Sequence, residues 1–454
     1  MYNINRVIKK LTPHRSAAEL FKYFSDEKDC VFLDSSLVNG LGRYSIIGVR
    51  PYLKLVKDDH GFFINEQKVS ELSFEEYLKK YLSEHKDQNK SGLPMLSGAI
   101  GYFSYEYGRK LMEIPSHKEN LVTIPDAVLV FYDMYIIEDC HEKKTFLVAN
   151  GVTEDAEKLI ESVEKRLTEV LLEKEQVADG SFNIEITPNF KKEEYKQAVD
   201  EMIRYIIEGD IYITNMTQQL EVKSNKKPLD VFYDLRENNP SPFCGYMDYG
   251  DFQIVCASPE RFLKMKKGHV NTRPIKGTRK RGETLEEDLL MRNELKNSEK
   301  DKSELLMIVD LERNDLNRVC KPGSVKVTEL FTVEEYATVF HLVSDIEGVL
   351  QENKTIMDLL EATFPGGSIT GAPKYRAMEI IDELEHGKRN LYTGSIGYLT
   401  LDGDCDFNIV IRTALHKNGK YHLGVGGGIT AESDLEFEYE ETLQKAKAIL
   451  DALQ

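Results

Sequence analysis

Tryptophan is absent from this chain, cysteine and histidine are scarce, and positive charge is in deficit. The missing tryptophan leaves tyrosine, present 23 times, as the main intrinsic fluorophore and says nothing about mechanism. The six cysteines, Cys30, Cys140, Cys244, Cys256, Cys320 and Cys405, form no Cys-x-x-Cys pair and have no histidine cluster beside them. That spacing argues against structural zinc and against a dithiol motif, and predicts reduced, mostly buried thiols in a cytosolic protein. A formal net charge of −18 argues against nucleic acid or a membrane surface as partner, because either needs a basic face. It leaves room for a small anionic substrate held by a local arginine cluster. No apolar run approaches bilayer length, and the opening MYNINRVIKKLTPHRS lacks the apolar core of a signal peptide. Together these absences predict a cytoplasmic location.

The 454 residues, 41% hydrophobic and 30% charged, suffice for two to three ordinary domains or one large two-layer body. A first region spans 1–176, of which 1–150 reads as strand-rich with short helices, with β-branched and aromatic runs at 97–103, 127–138 and 145–150. Within that region, 153–176 carries Leu159, Ile160, Val163, Leu167 and Leu171 on one helical stripe. A polar, Gly/Pro-punctuated linker is expected at 177–189, before a second region, 190–454, in which helices and strands mix. There the patterning predicts helices at 192–208, 284–297, 299–309, 373–385 and 437–453. It predicts strands at 211–222, 252–257 and 420–425, and a hairpin of 393–401 with 406–416 about Asp402-Gly403-Asp404. Strand blocks mixed with helices favour an α+β class over a doubly wound parallel sheet.

Residues 273–279, RPIKGTR, place Lys276 in an expected tight turn between Arg273 and Arg279. Flanking positive charge favours the neutral amine, and only that form is a nucleophile. Glu260, at the end of the apolar run FQIVCA, reads either as a surface residue paired with Arg261 or as a buried general acid. Glu304 and the i, i+3 pair Glu438 and Glu441 are an oxygen-only set that suits Mg²⁺, although the pair's spacing is equally that of an exposed acidic face. Two glycine-rich stretches, 365–374 and 424–428, are expected as turns. The first leads into a helix N-terminus, where free N–H groups favour an anion. Arg412, at a strand end, can grip a carboxylate in a two-pronged way. His341 sits in an apolar strand, where a satisfied core histidine is the ordinary occupant. No Walker pattern accompanies the glycines, which disfavours a nucleotide.

Taken together, the segments SPERF, RPIKGTR, LLMIVDLERND, HLVSDIEG, FPGGSITGAPKYRAMEIIDELE, GSIGYL, IRTA and GGGI resemble the chorismate-utilising enzymes. That family includes anthranilate, aminodeoxychorismate, isochorismate and salicylate synthases. The N-terminal FLDSSLVNGLGRYSIIG is similar to the family's first region, so the resemblance spans essentially the whole chain. It implies a mixed-layer body of two packed antiparallel β-sheets flanked by helices, with 190–454 as the chorismate-binding catalytic region.

The resemblance also implies roles. Lys276 falls where anthranilate-forming members carry alanine and aminodeoxychorismate-forming members carry lysine. It would attack the ring of chorismate while Glu260 protonates the departing hydroxyl, and ammonia would then displace it. The product would be 4-amino-4-deoxychorismate, a precursor of 4-aminobenzoate and folate, with formation of anthranilate as the alternative. Glu304 and Glu438 match magnesium ligands, with Glu441 close by. Ser368, Thr370, Tyr398, Arg412, Gly427 and Gly428 fall at substrate contacts, and His341 beside the ring. Ile213 stands where ammonia-using members often have glutamine and water-using members have lysine, which counts against the water-using reactions. No Gly-x-Cys-x-Gly turn is present, so a separate glutamine amidotransferase subunit, or free ammonia, is implied. Asp34, Ser35 and Pro242 fall where some relatives hold free tryptophan.

Overall fold

Two long strands, Tyr44–Asp58 and Ala127–Asp139, organise the chain. They pair antiparallel along nearly their whole length, from Tyr44 opposite Asp139 to Lys57 opposite Ala127. The structure, a computed structural model, describes residues 5–169, 182–336 and 339–454. Among these residues 22 strands join into one hydrogen-bonded network, and every ladder in it is antiparallel.

The network divides at the long pair. One arm runs from the first half of Tyr44–Asp58 through Val31–Asp34, Phe243–Asp248, Phe252–Ser258, Thr413–Lys417, Lys420–Ile429 and Ile213–Lys223 to Glu185–Pro188. The other runs from the first half of Ala127–Asp139 through Gly98–Phe103, Ser395–Thr400, Cys405–Asn408, Arg261–Lys266 and His269–Arg273 to Val339–Val349. Both Ile275–Lys280 and Lys326–Glu335 flank that last strand.

The arms pack face to face. Ile100, Tyr102, Val130 and Ile396 of one meet Met247, Ile254, Cys256 and Leu415 of the other in a buried cluster. The outer face of the first arm is covered by the helices Ala156–Glu169, Pro228–Asn238 and Leu435–Leu453, through Leu159, Val163, Val231, Phe232, Ala446 and Ile449. Phe74–Glu84, Glu299–Asn317 and Ile356–Thr363 cover the second through Phe74, Leu78, Leu305, Val309 and Leu359. Period-2 side-chain alternation gives each sheet two apolar faces here, so both need a cover. Two packed sheets flanked by helices are as the resemblance implied, with two strands shared between them.

Several local expectations differ. Part of the expected linker, 177–181, lies outside the described residues, as do 170–176 of the first expected helix, seen here as Ala156–Glu169. Glu185–Pro188, also within the expected linker, is a strand on Ile213–Lys223. The ladders Gly98–Phe103 with Ser395–Thr400, and Val31–Asp34 with Phe243–Asp248, join strands from the two sides of that expected boundary. The 393–416 hairpin is shorter than expected: Ser395–Thr400 pairs with Cys405–Asn408, and Thr413–Lys417 belongs to the other arm. Gly424–Gly428 is not a turn but part of the strand Lys420–Ile429, laddered to Ile213–Lys223. Among the described residues no helix is long and apolar enough to cross a membrane.

Candidate active site

Lys276 lies on the strand Ile275–Lys280 rather than in a tight turn. Gly277, at φ +77°, shifts the register so that Lys276 opposes Leu342 while Thr278 opposes His341. Such a one-residue bulge re-aims side chains along a strand. The flanking arginines are engaged elsewhere. Arg273 bonds Glu334, Glu329 and Asp345, and Arg279 bonds Glu294 and Asp301. The positive charge expected to act on Lys276 is thus matched by carboxylates. What meets Lys276 comes from distant segments: its Nζ donates to the Ser368 carbonyl at 3.0 Å.

Glu260 follows the strand Phe252–Ser258 and is 5% exposed. Burial raises its pKa, against the pull of Ser368 and Lys276 beside it, so the proton it needs as an acid is retained at higher pH than usual. Its expected surface partner, Arg261, bonds Asp406 instead, at 2.9 Å. Ser368 sits in a single 3-10 turn, Gly367–Ile369, and is buried. Thr370 closes that turn, donating its hydroxyl to the Gly366 carbonyl at 2.9 Å. Its side chain is committed to holding Ser368 in place.

Two helices bring the carboxylates. Glu304 lies on Glu299–Asn317, capped by Ser298. Glu438 and Glu441 lie on Leu435–Leu453, whose first turn is capped by Asp434 accepting from Phe437 N–H at 2.9 Å. Burial raises the pKa of Glu304. Burial, then the charge of Glu441, pushes Glu438 up to about 7, although Ser433 donates to it at 2.7 Å. The two glycines opposite make room. A Cβ at Gly427 would fall 2.5 Å from Glu441 Oε2 and 3.0 Å from Glu438 Oε2. One at Gly428 would fall 3.3 Å from Lys276 Nζ and 3.7 Å from Glu304 Oε2. So the glycine strand is the floor on which amine and carboxylates converge.

Does this set fit a magnesium ion? Its donors are all oxygen, and like charges crowd together with few cations among them: Lys300 is 4.0 Å from Glu304, and Lys445 is 3.1 Å from Glu441. Among the described residues no three His, Cys, Asp or Glu side chains stand close enough to cage an ion. Magnesium takes one or two carboxylates and completes its shell with water and substrate. The residues fit that open mode and not an all-protein cage.

Arg412 is half-buried with φ +50°, and its guanidinium makes no hydrogen bond or ion pair among the described residues. Burial lowers its pKa. An under-solvated, unpartnered guanidinium is a carboxylate site in waiting. Tyr392 and Glu441 are its electrostatic neighbours. His341 is pushed down to about 4 by burial and then by Arg412. It is therefore a neutral imidazole at physiological pH, with Nδ1 2.9 Å from the Thr278 hydroxyl.

Tyr398 lies elsewhere. It lines a cavity of about 370 Å³ between the sheets, together with Asp34, Ser35 and Pro242. Burial pushes Asp34 up, and its oxygens accept from Arg236 and Ser45 at 2.8 Å each. Ile213 is buried, opposite Ala372. Sequence reasoning missed two residues. Tyr392 is the tyrosine near Arg412, and Lys445 donates to the Gly426 carbonyl at 2.8 Å beside Glu441. The 438, 441, 445 spacing, one helix face, was the available signal for Lys445.

A family model described as chorismate binding enzyme matches residues 29–451. Anthranilate synthase component 1 of Acetivibrio thermocellus is 38% identical, covering 96% of this chain and 92% of its own. Aminodeoxychorismate synthase component 1 of Bacillus subtilis (strain 168) is also 38% identical, covering 91% and 90%. In three dimensions the chain is similar to anthranilate synthase component I from Streptococcus pneumoniae, with TM-score 0.82 and 33% identity over 91% of this chain and 93% of that one. The buried acid, amine, carboxylates and open arginine thus sit in a chain that belongs to the chorismate-binding enzymes. Within that family it groups with the anthranilate and aminodeoxychorismate synthase component I proteins, which match it equally well.

Proposed function

We propose that this enzyme is component I of an aminodeoxychorismate synthase, aminating chorismate at ring carbon C4. The observation that supports the reading is the position of the Lys276 amine, bonded to Ser368 and beside both Glu260 and Glu304. A covalent amine intermediate splits one hard substitution into two easier ones. Arg412 and the glycine floor hold the substrate's carboxylates. Glu260 takes a proton from the Lys276 ammonium; the freed amine attacks ring carbon C2; Glu260 returns the proton to the C4 hydroxyl, which leaves as water. Ammonia then adds at C4 and expels the lysine as a neutral amine; a proton of the new C4 ammonium passes to that amine through Glu260, which restores the ammonium and the carboxylate. Glu304 and Glu438, with Glu441 beside them, would hold a magnesium ion, which would supply positive charge toward a ring carboxylate and withdraw electrons from the ring.

Ammonia reaches the site from solution or from a separate glutamine amidotransferase subunit. The inter-sheet cavity, with Asp34, Ser35 and Pro242 in its wall, is large enough for a free amino acid such as tryptophan.

The test is direct. Pure protein is incubated with chorismate, ammonia and Mg²⁺. Aminodeoxychorismate, detected as 4-aminobenzoate once a lyase is added, supports the reading; blue-fluorescent anthranilate without the lyase refutes it. Lys276→Ala should stop aminodeoxychorismate formation with the fold intact, and the lysine adduct should appear by intact mass when ammonia is withheld.

A further inference from the structure

The mechanism above leaves the buried carboxyl of Glu312 unused. Glu312 lies two turns beyond Glu304 on Glu299–Asn317 and is 7% exposed. It packs beneath the turn that carries Ser368: a Cβ at Gly367 would fall 3.2 Å from Glu312 Cγ. Glu260, which the Ser368 hydroxyl meets, is one of the electrostatic neighbours of Glu312. Each group facing Glu312 is accounted for. Thr272 comes from His269–Arg273, Glu260 from the end of Phe252–Ser258, Asp315 from its own helix and Lys374 from Lys374–Leu384. Lys374 is not free to neutralise it, because its Nζ bonds Asp315 at 2.5 Å and the Thr363 carbonyl at 2.8 Å.

The hydrogen-bond arithmetic at Thr272 then fixes the protonation state. Its hydroxyl oxygen lies 2.7 Å from the Phe262 carbonyl and 2.9 Å from Glu312 Oε2. A threonine hydroxyl has one hydrogen, and a carbonyl can only accept. That hydrogen can fill only one of the two contacts, and of these three groups Glu312 alone can supply a second. We propose that Glu312 is a positioning residue held as a neutral carboxylic acid, donating to Thr272, so that no second negative charge sits beside Glu260 while Glu260 gives up and retakes its proton. Burial first, and then the charge of Glu260, pushes Glu312 up to about 8. Its ionisation above that pH would make Glu260 hold its proton more tightly and slow the exchange.

The proposal rests on Glu260 being the acid, so its test has an arm independent of activity. For a carboxyl raised in the fold, the native state keeps a proton that the unfolded chain releases. Its contribution is full below the unfolded carboxyl pKa and is lost as pH rises through about 8. Glu312→Gln keeps a donor for Thr272 without a titrating group. Thermal unfolding midpoints of Glu312→Gln and the parent are compared from pH 5 to 9. The variant's advantage should widen steadily up to about pH 8 and then level off; a constant difference overturns the neutral assignment. In the second arm, the pH profile of kcat/KM should lose its alkaline inflection near pH 8, or move it upward, in Glu312→Gln. An unchanged alkaline limb overturns the coupling to Glu260 and leaves the amination reading standing. Absence of aminodeoxychorismate from the parent sinks that reading and leaves the unfolding result intact.

Discussion

Gly427→Ala tests the convergence of the site with one methyl group. The added Cβ would lie 2.5 Å from Glu441 Oε2 and 3.0 Å from Glu438 Oε2. To reach an ordinary contact of about 3.4 Å, those oxygens must retreat by about 0.9 and 0.4 Å. Gly427 is not among the positive-φ glycines, so alanine brings no backbone strain. Both obstructing atoms are the far ends of side chains, which can give way while the backbone stays in place. A metal site tolerates displacements of only about 0.2 Å, and a misplacement of about 1 Å at a reacting centre costs about a hundredfold in rate. The expected result is therefore a kcat/KM lower by about a hundredfold and a higher Mg²⁺ midpoint, with the unfolding midpoint nearly unchanged. Steady-state kinetics across a magnesium titration, beside calorimetry, reads all three. Parental kcat/KM and magnesium dependence would show that Glu438 and Glu441 do not work against the glycine floor. Loss of fold together with activity would show that residue 427 is structural.

Three further outcomes are expected. Arg412→Lys replaces a two-pronged donor with a point charge, so KM for chorismate should rise about tenfold to a hundredfold while kcat changes less; an unaltered KM would remove Arg412 from the substrate. Because Glu438 is pushed up to about 7, and a ligand must shed its proton to bind metal, apparent Mg²⁺ affinity should fall by about tenfold per pH unit below that value; isothermal titration at pH 6 and 8 measures it, and equal affinities would discard the assignment. Arg389 and Glu385 form a buried pair at 2.7 Å, with Arg389 also bonding the Ile369 and Asn215 carbonyls. Arg389→Met leaves Glu385 uncompensated and should cost about 3–5 kcal/mol of stability by denaturant unfolding; a loss under about 1 kcal/mol would contradict the pairing's role.

Where the signal was local, the sequence carried it. Lys192–Glu208 matches its helical spacing residue for residue, and the apolar run before Glu260 is a real strand, Phe252–Ser258. The oxygen-only character of Glu304, Glu438 and Glu441 followed from residue type, whereas Glu260 read equally as a surface residue or a buried acid until the fold showed it buried. Register was not legible. Tyr392 and Tyr398 are six residues apart around one strand start, and only the ladders place Tyr398 in the inter-sheet cavity and leave Tyr392 beside Arg412. Glycine composition suggested a turn at 424–428, whereas close carboxylates and an amine demand a bare strand there.

The amino-acid order alone determined which elements form and which chemical groups are available, because helix periodicity, strand alternation and caps are decided within a few residues. Tertiary structure decided which groups meet. Lys276, Ser368 and Gly428 belong to three separate segments, and the flanking arginines went to partners such as Glu334, Asp345 and Glu294. Contacts of that range depend on strand register, a bulge at one glycine and the packing of two helices over one sheet, and none of these is encoded by neighbouring residues.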